Sequence, residues 1–107
     1  MKEVNQDINQ LLEGCKNGDT KAQFAVYKRY YKAMYNTAFR ILNDSFEAED
    51  VMQESFLSAF IKLDSFSEQV TFGAWLKKIV INNSITALKK KHKFETVPLE
   101  KVALKRN

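Results

Sequence analysis

The stretch from Thr20 to Leu42, TKAQFAVYKRYYKAMYNTAFRIL, sets the fold class. Within it Phe24, Tyr27, Tyr31, Met34, Tyr35, Ala38 and Leu42 recur at steps of three and four, the spacing that returns side chains to one face of an α-helix. Arg29, Lys32, Asn36 and Arg40 fall on the other side, and neither glycine nor proline interrupts the run. An amphipathic pattern this long reads as one helix, with Thr20 as its N-cap.

On the N-terminal side, a first helix from about Asn5 to Lys16 carries Ile8, Leu11, Leu12 and Cys15 on one face. It stops at the polar turn Asn17-Gly18-Asp19. On the C-terminal side, Asn43-Asp44-Ser45 breaks the pattern. Asp44 with Glu47 three residues on has the form of a capping box with Asp in place of Ser or Thr. The third helix that follows turns Ala48, Met52, Phe56, Ala59, Phe60 and Leu63 inward. Asp64 to Val70 reads as a loop, and Thr71 opens a fourth helix that continues to about Lys91. Phe72, Leu76, Ile79, Val80 and Ala87 give that helix its core stripe. Ile81, Ile85 and Leu88 form a second stripe, which predicts a sandwiched helix with the first helix on its far side. Glu95-Thr96-Val97-Pro98 ends the pattern, and the last dozen residues read as a tether. The predicted fold class is all-α, a compact bundle of about four helices.

Composition agrees with that class. The 107 residues suffice for one domain with a modest core. Three glycines and one proline are too few for a turn-rich β fold, and 28% charged residues are ordinary for a globular chain. No apolar run is long enough to span a membrane, and Met1-Lys2-Glu3 leads into polar sequence without a signal-peptide core. A cytoplasmic protein is expected. Cys15 is the single cysteine and His92 the single histidine, so neither an internal disulfide nor a Cys/His zinc site can be assembled. No metal or cofactor is expected.

Charge is divided along the chain. Between Glu47 and Glu68 lie Glu47, Glu49, Asp50, Glu54, Asp64 and Glu68 against Lys62 alone, whereas Lys77 to Lys93 contains six lysines and no acid. Away from its core stripe the third helix places Asp50, Gln53, Glu54, Leu57 and Ile61 along one side. Carboxylates beside exposed aliphatics suit a partner helix carrying Arg or Lys, with charge steering the encounter and Leu and Ile supplying burial. Taken alone, the same pattern also fits a solvated acidic face. On the fourth helix Trp75, Lys78, Asn82, Thr86 and Lys89 align at steps of three and four, and Lys89-Lys90-Lys91-His92-Lys93 prolongs the positive stripe. Lysines neutralise phosphates, Asn can bond a base edge, and an aromatic ring can stack on an unpaired base. A lysine cluster at a helix end equally suits the negative end of the helix dipole, and Trp is usually core. Paired carboxylates could serve acid/base catalysis. Here they have no nearby histidine, no phosphate-binding glycine loop and no nucleophile with an adjacent base, so an enzyme is not expected.

Three stretches in order resemble region 2 of bacterial sigma factors of the sigma-70 family, in the extracytoplasmic-function (ECF) group. They are Phe24-Ala25-Val26-Tyr27-Lys28-Arg29-Tyr30-Tyr31, Glu47-Ala48-Glu49-Asp50-Val51-Met52-Gln53-Glu54-Ser55-Phe56, and Phe72-Gly73-Ala74-Trp75-Leu76-Lys77-Lys78-Ile79-Val80-Ile81-Asn82. The resemblance extends from about Leu11 to Phe94. It implies that the second and third helices dock on the clamp helices of the largest subunit of core RNA polymerase, through Asp50, Gln53, Glu54, Leu57 and Ile61. It also implies that the loop from Asp64 to Thr71, with Ser65, Phe66 and Ser67, captures a flipped base of the non-template strand in the promoter −10 element. Trp75, Lys78, Asn82, Thr86, Lys89 and Lys90 would then face DNA. An anti-sigma factor is an implied further partner.

Two departures stand out. Many members carry Asp and then Arg late in the fourth helix, where this chain has Thr86 and Lys89. Such factors also carry a second, helix-turn-helix domain that reads the −35 element. Residues 1–95 would be the region 2 domain and residues 96–107 the start of a linker to that missing domain, so a separate domain or truncated product is expected rather than a whole factor. The competing function is a helical protein-interaction module, a sigma-like decoy or anti-sigma-type regulator, without sequence-specific DNA binding. A double-stranded DNA regulator would need a tight glycine-containing helix-turn-helix, which is not found after Asn43.

Overall fold

Four helices follow one another, with aspartates at the start of the first three. The structure is a computed structural model that describes the backbone of residues 7–106 and the side chains of residues 7–93. Helix α1 spans Ile8–Lys16, α2 Thr20–Leu42, α3 Ser45–Ile61 and α4 Phe72–Arg106, with a short 3-10 turn at Leu63–Ser65 before the loop into α4. No strand occurs among the described residues, so the fold is the all-α bundle expected.

Capping explains where each helix begins. The Asp7 carboxylate accepts from the Asn9 amide, which starts α1 at Ile8; the expected start at Asn5 lies outside the described residues. Asp19, not Thr20, caps α2, accepting from the amides of Lys21 (2.9 Å) and Ala22 (3.4 Å). Its carboxylate reaches two of the free amides of the first turn, and Thr20 becomes the first helical residue. Asp44 Oδ1 accepts from the Glu47 amide at 2.9 Å, but the reciprocal half of a capping box is absent. Glu47 instead turns to Lys91 Nζ, 3.5 Å away on α4. Thr71 Oγ1 accepts from the Ala74 amide at 3.2 Å and opens α4 where expected. Helix ends are equally explicit. Gly18 (φ 79°) and Asn43 (φ 55°) adopt the left-handed conformation after α1 and α2, one without a Cβ to clash and the other of a type that tolerates it.

The core lies among α2, α3 and α4, with α1 laid on α2. Helix α2 contributes Ala22, Val26, Met34, Ala38 and Leu42, α3 contributes Ala48, Val51, Met52, Phe56 and Ala59, and α4 contributes Phe72, Leu76 and Val80. Gly14 lets α1 approach closely, since a Cβ there would stand 2.8 Å from Ala22 Cβ. Phe24 departs from the expected stripe and is 60% exposed, with the Lys28 ammonium 5.3 Å from its ring centre. The smaller Ala22 and Val26 fill the interior there, and Phe24 sits on the rim above α3.

Helices α3 and α4 run antiparallel, joined at two levels. Asn83 Nδ2 donates to Ser55 Oγ (3.0 Å), and about two helical turns further on Lys91 pairs with Glu47. Contrary to expectation, α1 does not cover the second stripe of α4: α1 packs on α2 and the 3-10 turn, while α4 packs on α2 and α3. Ile81 and Leu88 are half-buried and Ile85 is exposed. The fourth helix also continues past its expected end near Lys91 to Arg106, through Pro98. A proline inside a helix costs about 3 kcal/mol, yet Leu99, Glu100, Lys101, Ala103, Leu104, Lys105 and Arg106 are mostly strong helix formers on its far side.

Candidate protein-docking and nucleic-acid faces

The outer side of α3 collects the residues singled out from sequence. Asp50, Gln53, Glu54, Leu57 and Ile61 are all exposed and lie within an arc of about 100° at 100° per residue. Leu57 is 65% and Ile61 82% exposed. Gln53 Nε2 donates to Glu49 Oε2 at 3.3 Å, which adds a third carboxylate to the rim. Sequence reasoning missed Phe46, 82% exposed, although steps of four, three, four and four through 46, 50, 53, 57 and 61 put it on the same line. It also missed that the α2 side of this face is aromatic. Tyr27 and Tyr31 stack at 5.3 Å and 11°, Tyr27 meets Phe56 at 4.9 Å, and Phe24, Tyr27, Phe56, Leu57 and Phe60 line a continuing recess.

The second face begins at the loop. Phe66 and Trp75, expected to meet DNA, are half-buried and pack on each other at 5.1 Å. Both rings also touch Phe72, each at 5.8 Å, and Phe72 meets Tyr30 at 5.5 Å. This aromatic cluster pins the loop onto the start of α4. Gly73 belongs to the same device, because a Cβ there would stand 3.2 Å from the Tyr30 ring edge. Ser65 and Ser67 are exposed, and Ser65 Oγ donates to the Lys62 carbonyl at 2.6 Å. Glu68 at the loop apex holds a left-handed φ of 66°, unusual for a residue with a long side chain. Beyond the cluster, Lys78, Asn82, Thr86 and Lys89 are exposed in an arc of about 80° that also contains Trp75. Lys90 is exposed beside them, whereas Lys91 turns inward to Glu47.

Thus the structure brings the five α3 residues together on one face. It groups Lys78, Asn82, Thr86 and Lys89 on another, and it places Phe66 and Trp75 between that face and the core. Among the described residues no helix is long and apolar enough to cross a membrane.

This geometry is that of a known domain. The profile described as Sigma-70 region 2 matches residues 26–94. The chain is 33% identical over 84 residues to the ECF RNA polymerase sigma factor SigW of Bacillus subtilis, covering 78% of this chain and 45% of that protein. It is 29% identical over 93 residues to the ECF RNA polymerase sigma factor SigM of Mycobacterium tuberculosis, covering 87% and 47%. An engineered region 2 of sigmaE, solved in complex with GTAAAA, superposes with a TM-score of 0.75 at 29% identity, covering 83% of this chain and 93% of that one. The chain belongs to the sigma-70 family, as a region 2 domain of the ECF type. It spans about half the length of the curated relatives it matches.

Proposed function

We propose that the chain is the promoter −10 recognition and melting domain of an ECF-type sigma factor, which docks on the clamp helices of core RNA polymerase and directs transcription initiation. One observation carries this reading: the sigmaE region 2 that shares the fold across 93% of its length is bound to GTAAAA. The corresponding fold here leaves a lysine- and asparagine-bearing strip of α4 exposed beside a loop.

On the polymerase side, Asp50 and Glu54 orient a basic partner helix, Gln53 bonds to it, and Leu57 and Ile61 lose water on contact. On the DNA side, the loop that includes Ser65, Phe66 and Ser67 receives an unstacked base. Lys78, Lys89 and Lys90 neutralise phosphates, while Asn82 and Thr86 offer hydrogen bonds. Unstacking a base costs a few kcal/mol, which new stacking and pocket bonds offset. Because the Trp75 ring is packed on Phe66 and Phe72, it supports the loop and offers DNA its free edge. The same reading makes the protein a cytoplasmic non-enzyme, controlled by an anti-sigma factor. Residues 96–107 would lead toward a −35-reading domain.

Two measurements test it. In anisotropy titrations the chain should bind a −10-type single strand such as GTAAAA better than its scrambled versions. Affinity should fall with salt, with a log–log slope of about −0.7 per phosphate contacted. Equal binding of every oligonucleotide at low salt refutes promoter reading. In a pull-down with core RNA polymerase the wild type should be retained and Gln53→Ala/Glu54→Lys lost; retention of both refutes the docking face.

A further inference from the structure

Three tyrosines near the middle of α2 serve two different neighbours. Tyr27 and Tyr31 stack on each other, and Tyr27 turns to Phe56 of α3. Tyr30 turns instead to α4, its ring 5.5 Å from that of Phe72 at 63°. Phe72 is 3% exposed and is shared by the whole cluster: Phe66 of the loop meets it at 5.8 Å and 82°, and Trp75 at 5.8 Å. Among the described residues Tyr30 makes no ring contact with Phe66 or Trp75, so it reaches the loop through Phe72. Edge-to-face contacts depend on orientation, so a ring held in this way fixes the angle of its neighbour as well as its place.

Tyr30 also governs the next residue. Gly73 is the second residue of α4, where alanine would be the better helix former. A Cβ there would stand 3.2 Å from Tyr30 Cε1, tighter than ordinary contact, so the missing side chain makes room for the ring. Tyr30 therefore touches both residues with which α4 begins, just where the loop rejoins it. A loop that reads a base must be held before the base arrives, because ordering it on binding would consume the affinity gained.

We propose that Tyr30 is a positioning residue for base recognition. Without touching DNA, it holds Phe72, and through Phe72 the Phe66 end of the loop, in the place where an unstacked base is read. The inference rests on the loop being the base-receiving element.

Anisotropy titrations of GTAAAA and its scrambled versions against the full chain test this role, with Trp75 emission as a second signal. Trp75 is the single tryptophan and packs on Phe66 at 5.1 Å, so its emission reports whether the loop is held. Tyr30→Leu should reduce the preference for GTAAAA about tenfold, within what the stacking of one base supplies, and shift Trp75 emission to the red. Its salt slope should stay that of wild type, since no phosphate contact is lost. Tyr30→Phe keeps the ring and should retain both preference and emission. Leu42→Ala, which opens the core at the far end of α2, should lower Tm and keep the preference. Gly73→Ala crowds Tyr30 from the α4 side; it should cut the preference severalfold alone and add nothing to Tyr30→Leu. Should Tyr30→Leu fail to fold by circular dichroism, Gly73→Ala decides alone. Wild-type preference in both Tyr30→Leu and Gly73→Ala overturns the role. Equal loss in Leu42→Ala also overturns it, by making the effect one of stability. If the wild type itself shows no preference, promoter reading falls and this role falls with it.

Discussion

Asn82 and Asn83 are neighbours with opposite assignments. Asn83 is half-buried and donates to Ser55 Oγ, which itself donates to the Val51 carbonyl at 2.7 Å. This chain of bonds crosses from α4 into α3 where Ser55 is fully buried. Asn83→Ala should therefore destabilise the fold by about 1 kcal/mol. For a domain of this size that lowers Tm by about 4–8 °C, readable in a thermal melt. Asn82 is exposed, so Asn82→Ala should leave Tm within the narrow range of ordinary surface changes and weaken DNA binding instead. Cys15 illustrates a different residue effect. Burial pushes its thiol above the ordinary value of 9.0, and the nearby Asp19 carboxylate adds to the rise. The folded protein thus holds this proton more tightly than the unfolded chain, and its contribution to stability is full below pH 9 and declines as pH rises above it. Wild type should lose more stability than Cys15→Ala between pH 8 and pH values above 9, as measured by urea denaturation; identical profiles would contradict that sign.

At the scale of elements, periodicity carried most of the fold. The runs in α2, α3 and α4 located three helices, and the turn at Asn17-Gly18-Asp19 ended the first where the structure ends it. What periodicity could not supply was which side of a broad apolar stripe faces inward. Phe24 and Val26 both fit an amphipathic α2, and only the packing of α3 and α4 selects Val26. Caps were ambiguous for a similar reason, since Asp19 and Thr20 are both competent and the backbone after Gly18 decides between them. The docking stripe on α3 was legible as spacing. For Trp75 burial was one of two open readings, whereas that of Phe66 was not legible, because it depends on the loop folding back onto α4. Capping itself can be tested: Asp44→Ala, which frees the Glu47 amide, should cost about 1 kcal/mol and leave the bound-state chemistry of α4 untouched.

For the whole molecule, the two faces lie on adjacent antiparallel helices and should be separable. Lys78→Glu should weaken single-strand binding and make its salt slope shallower by about 0.7, with polymerase retention unchanged. Glu54→Lys should do the reverse. A variant at either position that damages both activities equally would show that the faces are not independent.

The loop between those helices is held at its two ends only. Phe66 is clasped by Phe72 and Trp75, and Thr71 is tied by its cap to Ala74. Between these, Ser67, Glu68, Gln69 and Val70 are exposed and make no hydrogen bond, ion pair or ring contact. Four positions whose side chains bind nothing in the scaffold form an exchangeable cassette, restricted only at 68, where the left-handed φ of 66° favours Gly or Asn. If the loop reads DNA as proposed, their sequence could drift toward a new text while the frame that presents it stays unaltered.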